Sequence, residues 1–182
     1  MLPTLNNRLT NNTLLAVTLE EAARQCRLTT DDLKDTDLKG SLTGAIYAAQ
    51  AYLEANYSVV FGLNDFKSIY ILDNTDFLHF SISNVAEVKS VTLLENTSTL
   101  AYEFYKSNSH SFLDLSKTQS GKVAVEYSAG FATSEAIPYN VKQAILMLTS
   151  YYFDNRNAAT EKSSVPSAFA VDALMLLYKK LY

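Results

Sequence analysis

The amino-acid sequence predicts an α+β protein in which an antiparallel β-sheet is inserted between α-helices. Two helical patterns precede residue 56, six short β-rich runs occupy residues 56–130, and two more helical patterns follow. Strands that are grouped along the chain, rather than alternating with helices, favour an antiparallel sheet over a parallel one. No linker separates the helical patterns from the strands, so residues 18–182 are expected to form one domain, a small helical bundle with the sheet inserted in it.

The first 17 residues are interpreted as an N-terminal arm. They are rich in Asn and Thr and show no clean hydrophobic period, which is typical of a segment that is ordered only against a neighbour. A capping box then marks the start of the first helix. Thr18 is suited to the N-cap position, and Glu21, three residues later, can bond the amide of the N-cap residue. This helix is expected to end near Arg27.

A second helix is predicted from Leu38 to about Glu54. Its apolar residues recur at helical spacing, at Leu42, Ile46, Ala49 and Leu53. The connector before it carries four carboxylates, at Asp31, Asp32, Asp35 and Asp37. We expect a solvated connector here rather than a cation site, because the glycine-turned loop and the distal Glu of a calcium site are missing.

Six runs rich in β-branched and aromatic residues predict the strands of the sheet. They are residues 68–72, 77–82, 88–94, 102–105, 112–115 and 122–128. In the last run Val123, Val125 and Tyr127 alternate with small or polar residues, which predicts a half-buried strand with one apolar face. Gly130 follows this strand and is interpreted as a turn that needs a positive φ.

The most apolar helix is predicted after Pro138, and it is expected to be the centre of the fold. Proline suits the first turn of a helix, where its missing amide would have no partner. The apolar stripe of this helix consists of Val141, Ala144, Ile145, Leu148 and Tyr152. Asn155 and Arg156 close the helix. They either end it, with the Arg side chain bonding its last carbonyls, or form a contact between subunits.

A last helix is predicted to follow Pro166 and to continue to the end of the sequence. Its final five residues place two aromatic and two basic side chains where no later element of this sequence covers them. We therefore expect a docking segment made of Tyr178, Lys179, Lys180, Leu181 and Tyr182. The alternative is that Leu181 and Tyr182 complete the core of the domain.

Composition and charge argue against several classes of protein. A net charge of −4 and a pI near 5.1 are unfavourable for holding nucleic acid through its phosphates. Cys26 is the only cysteine, so neither a disulfide within the chain nor a cysteine-based zinc site can form. No stretch is long and apolar enough to cross a membrane, and no basic-then-apolar leader pattern is present. Neither membrane insertion nor secretion is expected.

The sequence contains no recognisable catalytic constellation. A nucleophile and base would require Cys26 or a serine near His79 or His110, and these two histidines are far apart in the chain without an acidic cluster. The five glycines do not have the spacing of a nucleotide-binding loop. We therefore expect no enzyme activity and predict no catalytic, cofactor-binding or metal-binding residue.

The order of these features resembles the head-tail connector proteins of tailed bacteriophages, also called the adaptor family. The resemblance rests on a Leu-Glu-Glu-Ala helix, a helix ending near Ala-Tyr-Leu-Glu, a strand ending in Tyr-x-Ala-Gly-Phe, and a proline-started helix closed by Asn155 and Arg156. It covers roughly residues 18–182. The long arm before Thr18 and the large strand-rich middle depart from the family pattern.

The resemblance implies a structural virion protein without a cofactor. Its subunits would form a ring, twelve-fold to match the portal protein, that lies below the portal, extends the DNA channel and binds a tail-side stopper or tail completion protein. DNA would pass through without sequence-specific binding, and residues 178–182 would dock on the portal or on a neighbouring subunit. The protein would be located in the neck of the virion after assembly in the host cytoplasm. The alternatives are another head or tail completion protein, and a small ligand-binding domain or enzyme.

Overall fold

The computed structural model describes residues 1–106, 111–155 and 168–179, with side chains from residue 170 onward in the last range. The described residues form two compact units. One is built from residues 1–13 and 58–132 and contains the sheet, and the other, from residues 14–57 and 133–179, contains the helices. The prediction of an α+β protein with an antiparallel sheet is confirmed, but the sheet is larger than expected. The division into an arm of residues 1–17 and a domain of residues 18–182 stays a prediction.

The helical unit has four α-helices: α1 at Leu19–Gln25, α2 at Thr36–Tyr57, α3 at Tyr139–Asp154 and α4 at Ala168–Met175. Short 3₁₀ turns at Asp32–Lys34 and Leu176–Tyr178 precede α2 and follow α4. Helix α3 contacts each of the other three helices, so it is the centre of this unit. None of the described helices is long and apolar enough to span a membrane.

The apolar stripe predicted for α2 is buried in full, and the helix begins two residues earlier than expected. One Oδ of Asp35 accepts hydrogen bonds from the amides of Asp37, at 2.8 Å, and Leu38, at 3.2 Å. A carboxylate that bonds the first free amides of a helix stabilises that end. Asp35 therefore has a structural role at the start of α2.

The buried face of α3 agrees with the predicted stripe except in its last turn. Val141, Ala144, Ile145 and Leu148 are buried, together with Thr149. Of the aromatic residues that follow, Phe153 is buried, whereas Tyr151 and Tyr152 are half-buried and lie edge to face with ring centroids 5.5 Å apart. The first turn starts at Tyr139, and Pro138 precedes it with an extended ψ of 145°.

The other unit is one antiparallel sheet of six strands. They are β1 at Leu5–Arg8, β2 at Asn64–His79, β3 at Val85–Leu93, β4 at Ser98–Thr99, β5 at Tyr102–Tyr105 and β6 at Phe112–Ala129. Strands β1-β2-β6-β3-β4 are neighbours in that order, and β5 pairs with the first residues of β6. The inner face of the sheet carries the core of this unit, which includes Phe66, Tyr70, Leu78, Val125 and Tyr127.

Strands β2, with 16 residues, and β6, with 18, are each more than twice as long as any run predicted for them. Each joins two runs that the sequence separates by polar residues, in β2 around Asp73 and Asn74. Asn74 has a φ of 50°, and the pairing with β6 shifts on both sides of Thr75. A β-bulge accommodates such residues inside a strand without ending it. The turn-forming residues therefore do not end the strand, although the sequence predicts two separate strands there. Phe80, Ser81, Ile82 and Leu94, all expected in strands, lie outside all six.

The first residues of the chain differ from the expected arm, because residues 5–8 form the edge strand β1. Leu5 lies opposite Ile69, and the other residues of β1 continue the antiparallel pairing with β2. The Asn6 side chain accepts hydrogen bonds from Ser68 Oγ at 2.9 Å and from Tyr127 Oη at 3.2 Å. Backbone and amide hydrogen bonds, rather than apolar burial, thus attach this segment to its own chain.

Candidate assembly surfaces

The predicted structural residues of the helical unit lie at helix ends. Thr18 Oγ1 accepts a hydrogen bond from the Glu21 amide at 3.1 Å, and a Glu21 carboxylate oxygen accepts one from the Thr18 amide at 2.7 Å. This reciprocal pair is a capping box at the start of α1. Pro138 is the N-cap residue of α3 and has no side chain that could bond the free amides there. These residues define helix ends and present no reactive group.

Gly130 lies where two backbone segments of the sheet unit approach closely. Its φ is +120°, and a Cβ placed on it would be 2.0 Å from the carbonyl oxygen of Gly62. Its amide donates a hydrogen bond to the carbonyl of Asn84 at 3.0 Å. Glycine is required both by this φ and by the missing space.

Asn155 is the C-cap residue of α3. Its amide and its Nδ2 both donate to the carbonyl of Tyr151, at 3.0 and 2.8 Å. These bonds satisfy a carbonyl that has no partner within the helix. Arg156 lies outside the described residues, and the proposed contact of this pair with another subunit stays a prediction.

The predicted docking segment at the end of the chain is described only in part. Tyr178 is 3% exposed, so its ring is buried, whereas Lys179 is exposed. Lys180, Leu181 and Tyr182 lie outside the described residues. The two residues before Tyr178 are the exposed apolar ones: Leu176 is 64% and Leu177 is 60% exposed.

A hydrogen-bonded group attaches this end of the chain to α2. The hydroxyl of Tyr57 donates to one carboxylate oxygen of Asp172, and Lys179 Nζ lies 3.3 Å from the other. The hydrogen bond from Tyr57, and to a smaller extent the nearby Lys179 ammonium, hold the pKa of Asp172 below its usual value. Burial first, and then the neighbouring Asp172, raises the pKa of the Tyr57 hydroxyl. A second hydrogen bond attaches α4 to α3: Asn140 Nδ2, on α3, donates to the carbonyl of Leu174 at 2.6 Å.

Of the cysteine and the two histidines considered for chemistry, the structure describes Cys26, at the end of α1, and His79, on β2. Cys26 is half-buried and borders a polar cavity of about 490 Å³ that is also lined by Arg27 and Asp154. His79 is on β2, and His110 is outside the described residues. Within the described part of the chain, no three His, Cys, Asp or Glu side chains are placed to hold a metal ion.

An exposed group of aromatic and acidic side chains, which was not predicted from the sequence, lies on the outer face of the sheet. Three strands form it, and directly opposed residues of antiparallel strands point to the same face. One row is His79, Phe112 and Tyr105, and the next row is Phe77, Asp114 and Glu103. We call these six residues the aromatic platform. The alternate residues Leu78 and Leu113 point inward and are buried.

The rings of the aromatic platform contact one another. Tyr105 stacks on Phe112 with centroids 4.8 Å apart and planes 10° apart, and the rings of Phe77 and His79 each lie 6.0 Å from Phe112. Phe77 is 43% and Tyr105 is 44% exposed, and Phe112 is half-buried. The Tyr105 hydroxyl donates to Glu103 at 2.7 Å, which places that carboxylate beside the rings.

A cleft of about 450 Å³ lies beside the acidic row of the platform. Its lining includes Asp76, Glu103, Asp114 and Lys117. Among the described residues, no lysine or arginine forms an ion pair with Glu103 or Asp114. This part of the surface is therefore acidic next to exposed aromatic carbon.

Solved structures of gene transfer agent (GTA) particles contain chains with this fold. A chain in the "Neck of empty GTA particle computed with C6 symmetry" has a TM-score of 0.77 and 20% sequence identity over 98% of this chain and 97% of that one. A chain in the "Virion of native gene transfer agent (GTA) particle" has a TM-score of 0.75, and one in the "Neck of native GTA particle computed with C12 symmetry" has 0.66, with the same identity and coverage. No family model and no curated protein matches the chain significantly. The likeness defines a fold shared along almost the whole chain.

Proposed function

We propose that this chain is a structural subunit in the neck of a phage-like particle. The observation that carries the proposal is the similarity of fold, along 98% of this chain and 97% of the other, to a chain in the neck of a gene transfer agent particle. Two of the similar chains belong to necks computed with C6 and C12 symmetry. Cyclic symmetry is that of a closed ring of identical subunits, and a ring is the assembly that we propose here.

Within the neck, the proposed role is that of a head-tail connector, or adaptor. Its ring, a dodecamer in the virion, would bind below the portal protein, extend the DNA channel and join the head to a tail-side stopper or tail completion protein. The order of sequence features supports this role, and so does the net charge of −4, which disfavours adhesion of DNA to the channel wall. In this proposal the helices form a small bundle and the sheet is an insertion between α2 and α3. The subunits would assemble in the host cytoplasm.

Electron microscopy of the purified protein mixed with the portal protein of the same particle tests this role. The expected result is a ring stacked on the axis of the portal, and native mass measurement gives its number of subunits. A ring that binds only tail components would identify another neck completion protein. A protein that joins neither the portal nor tail components would overturn the proposal.

DNA binding gives a separate test of the channel role. Affinity for duplex DNA at physiological salt is expected to be weak and equal for unrelated sequences, since binding through phosphates needs a concentration of positive charge. Fluorescence anisotropy with two duplexes of different sequence measures this. Tight binding to one duplex alone would contradict a connector and favour a regulatory protein.

A further inference from the structure

The aromatic platform has the composition of a protein-binding surface. Exposed aromatic rings are enriched where proteins associate, because they bury a large area at a low cost in side-chain entropy. Here four rings from three strands are contiguous on the outer face of the sheet. The inner face of the same strands already packs on the core through Leu78 and Leu113. The outward rings of Phe77, Phe112 and Tyr105 keep exposed surface that a second partner could cover.

Charge limits the chemistry of that partner. Glu103 and Asp114 form the acidic row beside the rings, and the cleft next to them also contains Asp76. Carboxylates next to aromatic faces favour a cation that is attached to apolar carbon, through ion pairing and through cation–π attraction. The complementary surface should therefore combine exposed aliphatic side chains with a lysine or an arginine.

The end of α4 has this combination. Leu176 and Leu177 are both more than half exposed, and Lys179 follows two residues later. No other pair of adjacent leucines in the described ranges is exposed to that degree. The ion pair between Lys179 and Asp172 joins two groups with side chains 46% and 43% exposed, and such surface pairs are weak enough to be exchanged for another carboxylate.

We propose that the aromatic platform of one subunit binds the segment Leu176–Lys179 of a second copy of this chain. Leu176 and Leu177 would lie on the rings of Phe77, Phe112 and Tyr105, and Lys179 would pair with Glu103 and Asp114. This inference rests on the proposed ring, since each subunit of a ring contacts its two neighbours through two different surfaces. Here the aromatic platform would contact one neighbour and residues 176–179 the other.

Cross-linking between copies tests the contact. In a chain with Cys26→Ser, one preparation carries Tyr105→Cys and another carries Leu177→Cys, and the two are mixed and treated with a short bismaleimide. A covalent dimer is expected from the mixture and not from either preparation alone. The matched control is Ile71→Cys, which is also exposed on β2 but six residues from Phe77. Equal yields with Ile71→Cys, or no dimer with Tyr105→Cys, would overturn the proposal.

Exchange of charges gives a second measurement. Lys179→Glu alone, or Glu103→Lys with Asp114→Lys, should lower the dimer yield about tenfold, and a chain that carries all three changes should recover it. Recovery is not expected if these residues only support folding.

Electron microscopy of the same preparations mixed with the portal protein separates this inference from the proposed function. Rings on the portal without the cross-link would refute the contact alone, and the cross-link without portal binding would refute the connector role alone.

Discussion

Replacing Gly130 with alanine should destabilise the sheet unit strongly. The added Cβ would lie 2.0 Å from the carbonyl oxygen of Gly62, 2.7 Å from its carbonyl carbon and 3.1 Å from Leu63 Cα. All three are backbone atoms, so no side-chain rotation can relieve the clash. The Gly62 carbonyl also accepts a hydrogen bond from Asn64 Nδ2 at 2.8 Å, and a shift of this backbone would break that bond.

The magnitude follows from two costs. An alanine at φ +120° costs about 1–3 kcal/mol, and displacement of the Gly62 carbonyl adds about 1–3 kcal/mol for a buried hydrogen bond. Urea unfolding followed by circular dichroism should therefore show a loss of about 2–6 kcal/mol for Gly130→Ala, the sum of the two costs. Gly44→Ala is the matched control, because a Cβ there has open space in α2, and it should gain about 0.5–1 kcal/mol. A loss below about 1 kcal/mol for Gly130→Ala would refute this reasoning.

Three further substitutions address other parts of the structure, each measured by denaturant unfolding. Tyr57→Phe should lower the free energy of unfolding by about 1 kcal/mol at neutral pH, because a half-exposed Asp172 loses a hydrogen bond. That bond lowers the pKa of Asp172. The difference in the free energy of unfolding between Tyr57→Phe and the unsubstituted protein should therefore be present above pH 3.8 and disappear as the pH falls below it. A difference that does not depend on pH would contradict the hydrogen bond from Tyr57 to the Asp172 carboxylate. Thr149→Val should raise the free energy of unfolding by about 1 kcal/mol, because the buried Thr149 hydroxyl has no hydrogen-bond partner among the described residues; a loss would mean that the hydroxyl is bonded. Asn6→Ala should cost about 1 kcal/mol, because the hydroxyls of Ser68 and Tyr127 lose a shared acceptor but still bond each other. Asn7→Ala, on the other face of β1, should cost little, and equal effects of the two substitutions would contradict the role given to Asn6.

The helical stripes were predictable because they depend on local periodicity alone. The apolar positions of α2 and α3 repeat every three or four residues, and each of those stripes packs on a neighbouring helix. The helix α4 ends earlier than predicted, since Leu176 begins a 3₁₀ turn. Periodicity shows which residues share a face, but it does not show where a last turn tightens.

The sheet was less predictable because its extent depends on pairing between distant residues. Asp73 and Asn74 look like a turn in the sequence, yet β6 pairs with β2 on both sides of them. The strand β1 gives no period at all, because its four residues are exposed on both faces and are positioned by hydrogen bonds to β2. Such bonds leave no pattern of apolar residues in the sequence.

The aromatic platform could have been predicted from strands that are apolar at consecutive positions. A strand with one face in water alternates apolar and polar residues, whereas a strand covered on both faces is apolar at every position. In Phe77-Leu78-His79 and Phe112-Leu113 the inward leucines are flanked by outward rings, so these strands are apolar on both faces. The inner face packs on the core of the sheet unit, and within the described residues the outer rings contact mainly one another. A two-sided apolar strand in a sheet with only one packed face indicates that the other face is covered in an assembly, which is the physical basis for placing a subunit contact there.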